Sequence, residues 1–128
     1  MSAPVRLSVM GAGLIGKRHI EHILARPEAM LSSIVDPMPA ARELAVSLKV
    51  DWYPSFQDML SDNRPDGVVV ATPNQMHVAN GMDCIAARIP ALVEKPIADN
   101  VSAAQALVEA AERAGVPCSP AITAATTR

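Results

Sequence analysis

The sequence predicts a single-domain α/β fold, in which a doubly wound parallel sheet carries helices on both faces and forms three layers, α/β/α. Short apolar segments alternate with amphipathic helical segments along most of the 128 residues, and this alternation is typical of right-handed β-α-β crossovers. One apolar segment, Gly67–Ala71, has almost no polar residue on either face, which indicates a strand buried on both sides of a parallel sheet. The length suits one domain, since a domain usually takes about 100–200 residues.

The first half of the chain predicts two β-α units and a third extended segment. Apolar residues alternate in Val5–Met10 and stop at a glycine, which indicates a strand that enters a tight turn. Helical periodicity follows over Leu14–Arg26, with Ile20, Ile23 and Leu24 on the inward face, and ends before a proline. A second strand, Met30–Val35, precedes a helical pattern over Ala41–Leu48, and a short extended piece lies at Asp51–Pro54.

The second half continues the same alternation. Ser55 is expected to cap a short helix that precedes the buried strand Gly67–Ala71. Asn74 is expected to cap a helix that lasts to about Arg88, and Pro90–Val93 is the next apolar strand. Ser102-Ala-Ala-Gln105 is typical of a capping box, and the helix that it opens is expected to turn Leu107 and Val108 inward.

Composition excludes several classes of partner. With 11 Lys+Arg against 13 Asp+Glu, the formal charge is −2, which argues against a nucleic acid or an anionic membrane held by long-range attraction. No apolar run is long enough to cross a bilayer, and no export signal is visible at the start. Cys84 and Cys118 show no C-x-x-C spacing, so we expect a reducing, cytoplasmic location.

A glycine-rich turn is the first candidate site. Residues 11–16, Gly-Ala-Gly-Leu-Ile-Gly, match G-x-G-x-x-G between a predicted strand and a predicted helix, the context that a dinucleotide-binding turn requires. Gly11 permits the sharp turn, Gly13 lets the backbone approach a diphosphate, and Gly16 allows the helix to pack on the sheet. Free N–H groups at the helix start then supply the anion site. Glycines of this kind are also common structural turns.

Asp36 strengthens the dinucleotide interpretation. It follows the second strand, directly before Pro37 and 20 residues after Gly16, where a carboxylate can accept hydrogen bonds from the adenosine ribose. The alternative is a plain aspartate that ends a strand. Because a carboxylate repels the 2′-phosphate of NADP, the expected cofactor is NAD. Arg42 could rotate toward that phosphate, so the exclusion of NADP is not absolute.

Two polar turns follow the central strands, at Ala71-Thr72-Pro73-Asn74 and Glu94-Lys95-Pro96. Ligands bind at the carboxyl ends of parallel strands, so both turns are expected to line the site. The first turn is equally explained by ordinary turn chemistry and a helix cap. An ammonium such as that of Lys95 can orient a substrate hydroxyl and, once desolvated, can move a proton, although surface lysines are usually inert.

In combination, residues 11–16, Asp36, 71–77 (Ala-Thr-Pro-Asn-Gln-Met-His) and 94–96 resemble the nucleotide-binding half of the glucose–fructose oxidoreductase, inositol dehydrogenase and MocA family. The resemblance covers residues 5 to about 117. It implies a Rossmann fold and hydride transfer between NAD(P) and a carbinol carbon of a sugar, cyclitol or related compound. It also places Thr72, Pro73, Asn74 and His77 beside the nicotinamide and Glu94 near its ribose, and it makes Lys95 a catalytic-site lysine. The expected cofactor-binding residues are Gly11, Ala12, Gly13, Leu14, Ile15, Gly16, Asp36, Pro37, Ala71, Thr72, Pro73, Asn74, His77, Glu94 and Lys95.

Other polar residues point to structure rather than chemistry. His19 and His22 are three residues apart, which is not the i, i+4 pair of H-E-x-x-H, so a structural role is favoured and no metal site is predicted. Cys84 lies on an apolar helix face and is interpreted as a buried, inert thiol.

The end of the chain departs from the resemblance. We expect residues 1–117 to form the dinucleotide-binding domain and residues 118–128 to be an aberrant or truncated tail, because the family continues with a substrate domain that is absent here. A frameshift near codon 117 is one hypothesis, since a shifted frame can encode Val-Leu-Thr-Gly-His-His-Arg-Arg-His-His-Pro, which resembles the family's continuation. Deliberate truncation and proteolysis are the alternatives. A homo-oligomer is expected, formed through a poorly covered sheet edge beside Pro90–Val93 or through the surface left by the missing domain.

Three functions stay open at this point. The first is the NAD-binding domain of an oxidoreductase that acts on a small sugar or cyclitol and is inactive as this chain alone. The second is a non-catalytic nucleotide-binding or sensing module. The third is a different reaction on the same fold, such as reduction of a biliverdin-like or imine substrate, because fold and cofactor do not fix the substrate.

Overall fold

The computed structural model describes residues 4–94 and 101–120. Its sheet has six parallel strands in the order β3-β2-β1-β4-β5-β6, which confirms the doubly wound α/β prediction. The strands are β1 Val5–Met10, β2 Ala29–Val35, β3 Asp51–Tyr53, β4 Gly67–Val70, β5 Ala91–Val93 and β6 Cys118–Pro120. The helices are α1 Leu14–Leu24, α2 Pro39–Leu48, α3 Phe56–Asp62, α4 His77–Ala86 and α5 Val101–Ala114, with a 3₁₀ turn at Asn74–Met76.

The strand order reverses at β1, and this reversal locates the crevice for a ligand. Strand β1 pairs with β2 on one side and with β4 on the other, so that Val9 lies between Ile34 and Val69. The crossovers therefore leave β1 in opposite directions, one toward β3 and one toward β6. In such sheets ligands bind beyond the carboxyl ends of the strands at the point of reversal.

Two apolar clusters cover the two faces of the sheet. Val9, Ile34 and Val69 pack with α1 and α2 on one face, whereas their chain neighbours Met10 and Val70 pack with α3, α4 and α5 on the other. Side chains of a strand alternate between faces, so the central strands carry apolar residues on both faces. The buried Ser8 and Ser33 are polar exceptions on β1 and β2, and their hydroxyls lie 2.7 Å apart in a hydrogen bond. Each fully buried Val or Ile side chain stabilises the fold by about 1.5–3 kcal/mol.

Several helix boundaries and faces differ from the predictions. The segment from Asn74 begins with a 3₁₀ turn, closed by the Met76 N–H donating to the Pro73 carbonyl at 2.8 Å, and α4 starts only at His77 without a side-chain cap. It ends at Ala86 instead of near Arg88, which has a positive φ. Ser102 lies inside α5 rather than before it. The predicted cap at Ser55 is confirmed, because its Oγ accepts from the Asp58 N–H.

Two apolar side chains assigned to inward faces prove to be exposed. Val108 on α5 and Leu24 at the end of α1 both lie more than a third exposed, because Leu107 and Ile23 already occupy the inward positions of those turns. The inward positions predicted at Ile20 and Leu107 are buried.

The segment after Gly115 adds an unexpected strand. Strand β6 pairs in parallel with β5, with Ala91 opposite Cys118, so the edge of β5 is covered along its length. Proline was expected to weaken this edge because it lacks an N–H donor. The contact instead uses the carbonyl, since the Ala91 N–H donates to the Pro117 oxygen at 2.9 Å.

Candidate cofactor-binding site

The turn between β1 and α1 is held by close backbone packing at two of its three glycines. Gly11 has φ +91°, and a Cβ there would lie 2.6 Å from the Ala71 carbonyl oxygen. A Cβ at Gly16 would lie 1.8 Å from the Gly11 carbonyl oxygen. Neither position admits a side chain, so β1, the turn and α1 lock together at the carboxyl end of β4.

The third glycine opens onto solvent. Within the part of the chain that the structure describes, no atom lies within 4 Å of the position of a Cβ at Gly13, although its φ of −76° is accessible to any L residue. Steric crowding within the chain therefore does not explain a glycine here. A ligand that approaches the backbone does, and this is the role expected for Gly13 in a diphosphate-binding turn.

The start of α1 presents donors toward that opening. Gly13 is its N-cap residue and no side chain caps the helix, so the N–H groups of the first turn have no intrahelical acceptor. Leu14 is 73% exposed, and Ile15 is also exposed. No acidic side chain lies in the first turn. The positive end of the helix dipole is thus left available to an anion such as a diphosphate.

Asp36 lies beside this opening at the end of β2. One carboxylate oxygen, Oδ2, accepts from the Ala12 N–H at 2.8 Å, and Oδ1 accepts from the Met38 N–H at 2.9 Å. The side chain is half-buried, and Pro37 next to it is exposed. Two carboxylate oxygens offer about four acceptor sites, so the arrangement fixes the carboxylate and leaves capacity for ribose hydroxyls. Asp36 therefore has a structural role in the turn that the sequence did not reveal.

Trp52 contacts the backbone of Asp36, and Arg42 packs on Trp52. The Trp52 indole N–H donates to the Asp36 carbonyl at 2.8 Å, and the Arg42 guanidinium carbon lies 5.6 Å from the centre of the indole ring, within cation–π range. Arg42 thus packs on an aromatic face in this structure. An aromatic residue on the third strand, one β-unit after Asp36, is the sequence signal for this contact.

The turn after β4 is fixed by two polar residues of α4. His77 is buried, with 1% of its surface exposed, and its Nε2 lies 2.7 Å from the Thr72 carbonyl oxygen. The Thr72 hydroxyl donates to Asn80 Oδ1 at 2.5 Å. His77 was expected beside the nicotinamide, and the structure places it under the turn that carries Thr72 and Pro73. Asn80 was missed, although its position three residues after His77 puts both on one helix face.

Glu94 meets a residue that the sequence assigned only to structure. Its N–H donates to the Val70 carbonyl at 2.9 Å, and its Oε1 lies 2.6 Å from His19 Nε2 on α1. This contact joins the helix that begins at the glycine turn to the carboxyl end of β5. Lys95, the predicted catalytic lysine, lies outside the described residues.

Two further ionisable groups, Cys84 and Tyr53, have shifted pKa values. Burial, together with Cys118 and Asp83, raises the pKa of the Cys84 thiol from 9.0 to about 12, which fits an inert buried cysteine. Burial and a hydrogen bond to Asp62 raise the pKa of the Tyr53 hydroxyl. Within residues 4–94 and 101–120, no three His, Cys, Asp or Glu side chains are grouped as metal ligands. In the same part of the chain, no helix is long and apolar enough to span a bilayer.

Comparison with known proteins identifies the domain that these residues form. A family model, GFO_IDH_MocA, described as an oxidoreductase family with an NAD-binding Rossmann fold, matches residues 5–122. The chain belongs to the Gfo/Idh/MocA oxidoreductase family. The resemblance drawn from the four sequence motifs is confirmed, and the match extends through β6.

Two curated relatives match most of this Gfo/Idh/MocA domain. The rhizopine catabolism protein MocA of Rhizobium meliloti is 31% identical over 108 residues, which cover 84% of this chain and 34% of the relative. Inositol 2-dehydrogenase of Corynebacterium glutamicum strain R is 31% identical over 121 residues, which cover 91% of this chain and 36% of the relative. The chain spans about a third of the length of the curated relatives it matches.

Solved structures support the cofactor of this Gfo/Idh/MocA domain. The WlbA dehydrogenase from Bordetella pertussis, solved with NADH and UDP-GlcNAcA, has a TM-score of 0.88 to this chain at 28% identity. The alignment covers 93% of this chain and 37% of that one. NAD is thus the cofactor of the family and of this neighbour. The open Gly13, the uncapped start of α1 and the fixed Asp36 carboxylate fit it.

Proposed function

We propose that this chain is the cofactor-binding part of a dehydrogenase that transfers hydride between NAD and a carbinol carbon of a sugar or cyclitol. The observation that carries the proposal is the juxtaposition of the open Gly13 turn with the Asp36 carboxylate, which is tied to that turn through the Ala12 N–H. Support for the substrate class comes from relatives whose names state inositol dehydrogenation. The cofactor, when bound, supplies the hydride acceptor or donor.

In this proposal, different residues of the chain bind different parts of the cofactor. The first-turn N–H groups of α1 bind the diphosphate, and Asp36 accepts from the adenosine ribose hydroxyls. The backbone of Ala71 and Thr72, held by the Ala71 N–H donating to the Met10 carbonyl at 2.8 Å, forms the wall on the nicotinamide side. Pro73, Asn74 and Glu94 continue that wall in the proposal, and Lys95 is the proposed catalytic lysine.

NAD is preferred over NADP in this proposal. The Asp36 carboxylate is held by two N–H donors, so it cannot swing away from an incoming 2′-phosphate without giving up both hydrogen bonds. Arg42, the one basic side chain near it that sequence reasoning considered, packs over Trp52. A fixed negative charge without a basic neighbour turned toward it disfavours a dianionic phosphate.

The chain alone is proposed to bind NAD without turnover. Hydride transfer requires the two carbons at near-attack distance, about 3–3.5 Å, in a site that excludes water. Gly13, Leu14 and Pro73 around the proposed cofactor site are all exposed to solvent. A substrate-side wall must therefore come from another segment or another chain.

Self-association is also part of the proposal. The β6 strand forms one edge of the sheet, and the apolar side chains of Leu14, Ile15 and Met76 are exposed. Unpaired strand edges and apolar patches of this kind favour pairing of copies. Light scattering at increasing concentration tests this, and a monomer at every concentration contradicts it.

The decisive experiment is a fluorescence titration of the chain with NADH and with NADPH. We expect saturable NADH binding, weaker NADPH binding, and a loss of most of that preference in Asp36→Ser, which removes the charge. Thermal unfolding of the variant controls for the lost hydrogen bonds to Ala12 and Met38. No saturable response to NADH contradicts the proposal. Saturable binding that persists without turnover after a substrate domain from a relative is added favours a non-catalytic nucleotide-binding module.

A further inference from the structure

His19 contacts Glu94 across the top of the sheet. The His19 Nε2 and Glu94 Oε1 atoms are 2.6 Å apart, and the two side chains are 20% and 13% exposed. His19 lies in α1, six residues after its N-cap Gly13, and Glu94 directly follows β5. The two residues are 75 positions apart in the chain. The contact therefore joins the helix of the diphosphate turn to the nicotinamide side of the proposed site.

The backbone alone does not determine where the Glu94 carboxylate points. Its N–H is fixed by the Val70 carbonyl, but a glutamate side chain keeps several rotatable bonds and loses about 1.5–2 kcal/mol of rotamer entropy when it is ordered. A short hydrogen bond to a carboxylate in a largely buried setting is of the strong, charge-assisted type. His19 is thus a partner that favours one orientation of the carboxylate.

The imidazole can hold the carboxylate in either protonation state. A neutral ring with its proton on Nε2 donates to Glu94, and so does the imidazolium. The neighbouring positions of α1 also suit this task, because Gly16 lets the helix lie close to the sheet and Ile20 anchors it in the core. The ring of His19 is thereby held at a fixed height above the end of β5.

We propose that His19 is a positioning residue that orients the Glu94 carboxylate toward the nicotinamide ribose of NAD. This inference rests on the proposed function, since it requires the cofactor to occupy the crevice between α1 and β5. If this is right, loss of His19 weakens binding of the nicotinamide half of the cofactor and leaves binding of the adenosine diphosphate half unchanged.

The test compares NADH with ADP as ligands of the full chain, measured by calorimetry. In His19→Ala we expect NADH affinity to fall about five- to tenfold, in keeping with one lost charged hydrogen bond that is partly solvated, while ADP affinity stays unchanged. His19→Gln places an amide N–H close to the position of Nε2 and is expected to restore NADH affinity to within about twofold. His22→Ala, on the exposed side of the same helix, is the matched control and should change neither affinity.

A double variant separates positioning from structure. In a Glu94→Ala background, His19→Ala should cause no further loss of NADH affinity, because the carboxylate that it orients is gone. Equal losses of NADH and ADP affinity in His19→Ala, or a full loss in His19→Gln, overturn the inference. Unchanged NADH affinity in His19→Ala also overturns it. If the parent chain binds neither NADH nor ADP, the proposed function fails instead.

Discussion

The three glycines of the β1-α1 turn allow packing and ligand binding to be separated by single methyl groups. Gly13→Ala adds a Cβ where nothing lies within 4 Å, at a φ of −76° that alanine adopts freely. Gly16→Ala adds the same atom 1.8 Å from the Gly11 carbonyl oxygen. The two substitutions are chemically identical and lie three residues apart, so any difference between them reports the surroundings.

The structure sets the size of each effect. At Gly13 the poorer N-cap preference of alanine and the reduced entropy of its unfolded chain oppose each other, so the free energy of unfolding should change by less than about 1 kcal/mol. The new methyl group instead holds a diphosphate away from the backbone. Loss of one hydrogen bond to a charged group costs about 1.5–3 kcal/mol, which corresponds to a roughly 10- to 100-fold weaker Kd for NADH.

At Gly16 the substitution lowers the stability of the fold. Since Cβ contacts below 3.0 Å essentially do not occur, helix α1 must move at least 1.2 Å (3.0 minus 1.8) from the turn. Overpacking of this kind usually costs about 1–3 kcal/mol, and a contact with rigid backbone places Gly16→Ala at or above the upper end of that range.

Urea unfolding followed by circular dichroism measures the first quantity, and NADH fluorescence titration measures the second. Gly13→Ala should unfold at the same urea concentration as the parent and bind NADH at least tenfold more weakly. Gly16→Ala should unfold at a lower urea concentration than the parent. If Gly13→Ala binds NADH as well as the parent does, Gly13 is not needed for ligand approach. If Gly16→Ala has the stability of the parent, Gly16 is not needed for packing of α1.

Three further predictions concern groups outside the glycine turn. Ser55→Ala removes the N-cap acceptor of the Asp58 N–H and should lower the free energy of unfolding by about 1 kcal/mol; Ser55→Asp, which keeps an acceptor, should recover most of that loss, and equal losses in both variants would contradict the cap. His77→Phe leaves the Thr72 carbonyl without its imidazole partner and should cost about 1–3 kcal/mol in urea unfolding; an unchanged stability would show that this contact does not hold the turn. Because burial raises the pKa of the Cys84 thiol from 9.0 to about 12, the folded state favours the protonated thiol, so the stability that it contributes is complete below pH 9 and is lost as the pH rises toward 12. Cys84→Ala should flatten the fall of stability with pH over this interval, and an unaltered slope would assign that fall to other groups.

Local patterns predicted most of the fold because their physical causes are local. The fully apolar strand at Gly67–Val70 needs only its own side chains to show that both faces are buried. The glycine turn is predicted in the same way, since a positive φ or a close backbone approach restricts the residue type at that position alone. Asp36 is predicted from its position directly after the second strand. Boundaries such as the start of α4 were less accurate, because the 3₁₀ turn after Pro73 competes with a capped helix at little cost in free energy.

Partners distant in the chain were not predicted. Nothing in the spacing of His19 and Glu94 indicates that they meet, because their contact depends on how close Gly16 lets α1 approach the sheet. The pairing of Asn80 with Thr72 and of Trp52 with Asp36 likewise depends on which side chains the crossovers bring to the carboxyl edge. Strand β6 escaped prediction because its pairing uses proline carbonyls, which the usual exclusion of proline from strands ignores.

Short segments of the sequence predict the α/β alternation, the glycine turn and the acidic residue after the second strand, since periodicity and glycine are local properties. Tertiary structure alone decided how the donors and acceptors are shared. It turned the carboxylate of Asp36 onto the Ala12 N–H, placed His77 beneath the Thr72 turn, and joined His19 to Glu94. The reason is geometric: hydrogen bonds form over about 3 Å between atoms whose separation is fixed by the packing of whole strands and helices.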